Sequence, residues 1–110
     1  MDLAPQLSPA QAGGALRDEG ALAVDVREVE EWQAGHMDGS LLIPLGELAA
    51  RAGELPRDRP LVIVCRTGAR SAYAADALVA AGYDARNLAG GLQQWVAADL
   101  PLEPAGGYVL

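Results

Sequence analysis

The chain contains no phenylalanine, one cysteine and one histidine. With no Phe, and with two Trp and three Tyr, the core of a folded domain has to be aliphatic. A lone Cys65 excludes an internal disulfide. No run approaches the roughly 18 apolar residues of a membrane-spanning helix. Met1-Asp2-Leu3-Ala4-Pro5 lacks the basic start and apolar stretch of a secretory signal. These absences suit a reducing cytoplasm, the expected compartment. Positive charge is also scarce, with 8 basic residues against 15 acidic ones and a net charge of −7. Such a chain is a poor partner for nucleic acid or an anionic membrane, and the acidity is most simply read as a source of solubility. There is no internal repeat, low-complexity tract or linker.

What is present suits one domain over residues 1–110, with its core at about 8–100. Hydrophobic residues make up 51% of the chain and charged residues 21%, an ordinary globular balance. Ser8-Pro9-Ala10-Gln11 reads as a capping box that opens a helix running to about Glu19, with Gly20 stopping it. Ala21 to Val24, closed by Asp25, reads as a short buried strand, and Glu28 to Ala34 as a short helix. Leu41-Leu42-Ile43 is a second strand, and Leu45, Leu48, Ala49 and Ala52 recur at helical spacing. Leu61-Val62-Ile63-Val64 is the clearest central strand. A helix is expected from Ser71 to Ala81, a weak strand at Ala85 to Leu88, and a last helix around Leu92, Trp95 and Val96. The tail with Pro101, Pro104, Gly106 and Gly107 should be irregular. Apolar strands alternating with helices imply an α/β fold, a three-layer α/β/α domain around a mainly parallel sheet of about five strands. Ligands in such folds bind at the carboxyl ends of the strands.

The strongest strand and the strongest helix are joined by Cys65-Arg66-Thr67-Gly68-Ala69-Arg70-Ser71. Cys65 therefore lies at the carboxyl end of a central strand, facing the free amides and positive end of the following helix. Arg59 through Ala75 holds three Arg and no acid, an electropositive island in an acidic chain. An ordinary thiol with a pKa of ~8.5 is only about 3% ionised at neutral pH, and making the thiolate dominant takes about 2.7 kcal/mol of differential stabilisation. Two guanidinium groups and a helix N-terminus can supply that. Gly68 permits a turn that aims backbone N–H groups inward, and Ser71 is placed to cap the helix. An isolated Cys is more often buried and inert, but here two Arg, a Gly and a helix start crowd the same few residues.

The order of motifs resembles the rhodanese-like domain family. Asp25-Val26-Arg27 is similar to the family's acid-x-Arg after its early strand. Glu31-Trp32 with Gly35-His36-Met37-Asp38-Gly39-Ser40, closed by Ile43-Pro44, is similar to its next segment, with Ser40 in place of the usual Ala and Leu42 in place of a common Asn. Cys65 to Ser71 resembles its active loop, and Gly82-Tyr83 and Gly90-Gly91-x-x-x-Trp95 its closing motifs. The resemblance runs from about Ser8 to Leu100. It implies a sulfurtransferase: Cys65 is the nucleophile and carries a persulfide, while Arg66, Thr67, Gly68, Ala69, Arg70 and Ser71 bind the donor, with Arg66 and Arg70 orienting it. The donor is a small sulfur compound such as thiosulfate or a persulfide. The acceptor is a thiol or other thiophile, a protein among the candidates. No metal or organic cofactor is implied. The related cell-cycle phosphatases and arsenate reductases place one residue more between Cys and the key Arg; four lie between Cys65 and Arg70, and Ser71 occupies the wider frame.

For the remaining residues the structural reading is favoured. His36 reads as part of a turn rather than as a base for Cys65. Asp25 can pair with an Arg near the site, and Arg27 with an acid such as Glu31; both are expected to support the loop from outside it. Glu28, Glu30 and Glu31 read as a solvated helix start, and Trp95 as core. Beside the enzyme, a regulatory or binding module that keeps the fold without the chemistry remains the second hypothesis.

Overall fold

The computed structural model describes residues 3–110. Met1 and Asp2, where the N-terminal reading begins, lie outside the described residues. Five strands form one all-parallel sheet: β1 (Gln6–Leu7), β2 (Leu22–Asp25), β3 (Leu41–Leu42), β4 (Leu61–Val64) and β5 (Ala85–Leu88), in the order β1-β5-β4-β2-β3. The helices are α1 (Pro9–Asp18), α2 (Val29–Ala34), α3 (Leu48–Arg51), α4 (Ala69–Ala80) and α5 (Gly91–Ala97), and short 3-10 turns flank α3.

The central strand decides the layering. All four residues of β4 are buried, and their side chains alternate between two apolar clusters. Leu61 and Ile63 face Val24, Val26, Leu48, Ala74, Ala75 and Leu78, on the side covered by α3 and α4. Val62 and Val64 face Ala12, Ala15, Leu92 and Trp95, on the side of α1 and α5. A strand buried on both faces is the pattern of parallel sheets, and each such aliphatic side chain contributes ~1.5–3 kcal/mol. The expected three layers are therefore present, and the sheet is wholly parallel.

Local chemistry fixes the ends. The Ser8 hydroxyl accepts from the Gln11 amide at 3.1 Å and the Gln11 side chain accepts from the Ser8 amide at 2.8 Å, the reciprocal box read from the sequence. Helix α4 closes with the Gly82 amide on the Val79 carbonyl and the Tyr83 amide on the Leu78 carbonyl, both at 3.0 Å. It starts two residues earlier than expected, at Ala69, and its cap is Gly68 rather than Ser71.

Two further differences follow from long-range contacts. Strand β1 is only two residues and exists through its register with β5. The tail is not wholly irregular: the amides and carbonyls of His36 and Glu103 exchange hydrogen bonds at 2.9 and 2.7 Å, and the Tyr108 amide donates to the Ala34 carbonyl at 3.0 Å. Leu100, Leu102 and Val109 pack on the α1/α5 cluster. Among the described residues, no helix is long and apolar enough to cross a membrane.

At the carboxyl end of β2, Asp25 and Arg27 are both fully buried. The Arg27 Nε donates to Asp25 Oδ1 at 2.9 Å and Nη2 to Oδ2 at 2.7 Å. The other N–H groups reach the backbone carbonyls of Glu31, at 3.2 Å, and Gly35, at 2.8 Å. The acid that pairs with Arg27 is thus Asp25; Glu31 offers it only a backbone oxygen. Geometry explains the choice, because Asp25 shares the buried strand end while the Glu31 side chain points elsewhere. Asp25→Ala would strand a guanidinium in the core. The expected loss is ~3–5 kcal/mol of unfolding free energy, measurable as a lowered denaturant midpoint.

Candidate active site

Cys65 follows directly on β4, at the sheet's carboxyl edge. The residue is only 1% exposed, but its sulfur meets polar groups. The Gly68 amide donates to Sγ at 3.0 Å, the Ser71 amide at 3.4 Å and the Ser71 hydroxyl at 3.3 Å. Burial pushes the thiol up, yet the Ser71 hydroxyl and the amides of Ser71, Gly68 and Thr67 outweigh it and hold the thiol below its ordinary value. Anionic sulfur is what such converging donors stabilise.

The loop holds this shape because several parts of the chain grip it. Gly68 lies at φ +97°, where a side chain would be strained, and a Cβ there would stand 3.0 Å from the Gly90 amide nitrogen. Its carbonyl accepts from Asn87 Nδ2 at 3.3 Å. The Cys65 carbonyl accepts from the Leu92 amide at 2.8 Å, and that of Arg66 from the Gln93 amide at 3.1 Å. The first turn of α5 therefore clamps the loop from behind. Gly91 makes the approach possible, since a Cβ would lie 2.4 Å from the Arg66 carbonyl oxygen.

The sequence reading drew on both arginines to stabilise the ionised sulfur. The hydrogen bonds to it come instead from the Ser71 hydroxyl, once Ser71 is not a cap, and from loop amides, while Arg70 acts on it through charge. Arg70 Nη1 donates to Glu31 Oε1 at 2.8 Å, and Nη2 to Oε2 at 2.9 Å. Arg66 is exposed, and its guanidinium has no hydrogen-bond or ion-pair partner among the described residues. Glu31 is accordingly no solvated helix residue. The Arg70 hydrogen bond, opposed by burial and aided by the Glu28 amide, holds its carboxyl at about 2. Thr67 lends an amide, and Ala69 opens α4. His36 stacks on Trp32 with ring centroids 3.6 Å apart, and its Nδ1 donates to the Trp32 carbonyl at 2.8 Å. Trp95 is core, with Nε1 donating to the Pro101 carbonyl at 2.9 Å.

Asn87 went unassigned from sequence alone, and Glu31 was read as a solvated helix residue or a partner for Arg27, not as the partner of Arg70. A buried polar residue inside an apolar strand was the available signal for Asn87. Glu31 offered none, because its partner lies 39 positions away. A groove of about 390 Å³ between α3 and α4, lined by Leu45, Leu48, Tyr73 and Ala77, includes no loop residue.

The rhodanese-like domain family matches residues 8–98, and the chain belongs to it. An HTH-type transcriptional regulator of Mycobacterium tuberculosis is 45% identical over 83 residues, which span 73% of this chain and 36% of that protein. The chain thus spans about a third of that relative's length. The thiosulfate sulfurtransferase GlpE of Pseudomonas savastanoi pv. phaseolicola is 36% identical over 88 residues, 79% of this chain and 83% of the relative. In structure, a rhodanese-related protein from Thermoplasma volcanium superposes with a TM-score of 0.84 at 28% identity, covering 89% of this chain and 96% of the other.

The cradle makes a prediction about Ser71. Alkylation of Cys65 should speed up as pH rises through the lowered midpoint, and slow as the sulfur protonates below it. Ser71→Ala removes one hydrogen bond to the charged form, so the midpoint should move upward. With a charged hydrogen bond worth ~1.5 kcal/mol, alkylation at a pH below both midpoints should slow by about tenfold, as read by timed mass spectrometry.

Proposed function

We propose that the protein is a rhodanese-type sulfurtransferase that carries sulfane sulfur on Cys65, with thiosulfate or a persulfide as donor and a thiophile, small or protein, as acceptor. The observation that carries this reading is the sulfur of Cys65 accepting hydrogen bonds from Gly68 and Ser71 at the mouth of α4. Family membership and the sulfurtransferase among the relatives support it.

The chemistry runs in two half-reactions. The Cys65 thiolate attacks the outer sulfur of thiosulfate. A new S–S bond forms to Sγ, the bond to the sulfonate sulfur breaks, and its electron pair leaves with sulfite. The outer sulfur, now terminal and anionic, lies against the amides of the loop from Thr67 to Ser71. An acceptor thiolate then attacks that terminal sulfur, and the Cys65 thiolate departs as leaving group. Neither step as written calls for a metal or an organic cofactor. Arg66, exposed on the loop, is the better placed of the two arginines to meet an anionic donor. Asp25 and Arg27 act from behind, by fixing the helix that bears Glu31. A reducing setting keeps acceptor thiols free to take the sulfur, which fits a cytoplasmic one.

A second reading, a regulatory module, is favoured by one observation: a relative is a transcriptional regulator of which this chain matches about a third. The same experiment separates the two. Purified protein incubated with thiosulfate should gain one sulfur atom on Cys65 by intact-mass and peptide mass spectrometry, and Cys65→Ser should gain none. Failure of the wild-type protein to gain sulfur from thiosulfate or from any persulfide would leave the regulatory reading standing.

A further inference from the structure

Charge at the mouth of the loop is balanced rather than positive. Three groups there are anionic when the sulfur is ionised: Cys65, Asp25 and Glu31. Three are cationic: Arg27, Arg70 and Arg66. Arg27 is spent on Asp25 in full burial. Both terminal nitrogens of Arg70 are spent on Glu31, with the Arg70 side chain 37% and the Glu31 side chain 17% exposed. Arg70 nevertheless stays within electrostatic reach of the sulfur: the Glu31 hydrogen bond, and then the charges of Glu31, Cys65 and Asp25, all favour its protonated form. Glu31 is itself immobilised. Its backbone carbonyl is held by the buried Arg27, and its side chain also accepts from the Glu28 amide at 3.0 Å.

On the sulfurtransferase reading above, we propose that Glu31 determines donor choice: by occupying Arg70 it cancels the positive charge at the loop and favours a singly charged persulfide donor over doubly charged thiosulfate. A carboxylate fixed beside the entrance repels each incoming negative charge, so the penalty scales with donor charge. Glu31 acts through Arg70 and the local field, and is a specificity-determining residue rather than a catalytic one.

Glu31→Gln keeps the shape and removes the charge. Each negative charge on an incoming molecule should then gain roughly threefold in rate, the size of one Coulomb contact at a partly screened surface. With cyanide as acceptor, kcat/KM for thiosulfate should rise about tenfold, mainly through KM, and that for β-mercaptoethanol persulfide only about threefold on the same per-charge scale. Glu31→Asp, which retains the charge, should keep the wild-type ratio. A separate readout needs no sulfur transfer: the rate of Cys65 alkylation by iodoacetate relative to neutral iodoacetamide should rise about threefold in Glu31→Gln. Circular dichroism checks that the variant is folded. Should it not fold, the wild-type protein still decides, because its kcat/KM for thiosulfate should hold or rise as salt goes from about 0.01 to about 0.15 M. An unchanged or lowered thiosulfate preference in folded Glu31→Gln, an unmoved alkylation ratio, or a marked fall of wild-type kcat/KM with salt would overturn the proposal. If wild type accepts sulfur from neither donor, the sulfurtransferase reading fails instead, and the alkylation ratio still reports on Glu31.

Discussion

Two opposite charges shut away from water, Asp25 and Arg27, determine the surroundings of Cys65. Burying them is costly, and the cost is met by hydrogen bonds that use the whole guanidinium: two faces of the Asp25 carboxylate and the carbonyls of Glu31 and Gly35. A pair of this kind is a weak source of stability compared with well-packed apolar residues. Its effect here is positional. It fastens α2 to the end of β2, and so sets where the Glu31 carboxylate stands. Glu31 in turn sets where Arg70 points. A contact made behind the sheet edge thereby reaches the Cys65 loop without touching it.

Much of this architecture was written in local sequence. Leu61 to Val64 announces a doubly buried strand by unbroken aliphatic character, and Ser8 with Gln11 announces a helix start through two reciprocal hydrogen bonds. Such features rest on neighbours a few positions apart. β1 and the tail rest on nothing local. Gln6 and Leu7 are a strand only because Asn87 and Leu88 lie beside them. Glu103 pairs with His36 across most of the chain, and no periodicity in the tail could have shown it.

The site divides along the same line. Cys65, the Gly68 turn and the facing helix form one strand-loop-helix unit, so their meeting was legible. The roles of single side chains were less so. Moving the start of α4 from Ser71 to Ala69 turns Ser71 from a cap into a donor aimed at sulfur. The cluster of arginines in sequence suggested a strongly positive site. The fold instead brings an acid from a distant helix onto Arg70, and charge density along a chain carries no record of that.

The grip of α5 on the loop has a consequence for the order in which the protein can become competent. Residues 65–71 contain the sulfur and every donor to it, yet the carbonyls of Cys65 and Arg66 are satisfied only by amides of Leu92 and Gln93. During synthesis Cys65 leaves the ribosome well before the residues that hold its loop. Until α5 docks, the carbonyls of Cys65 and Arg66 lack their partners, and the cradle of donors around the sulfur is not yet held in place. The fold thus couples the surroundings of its single cysteine to the docking of α5.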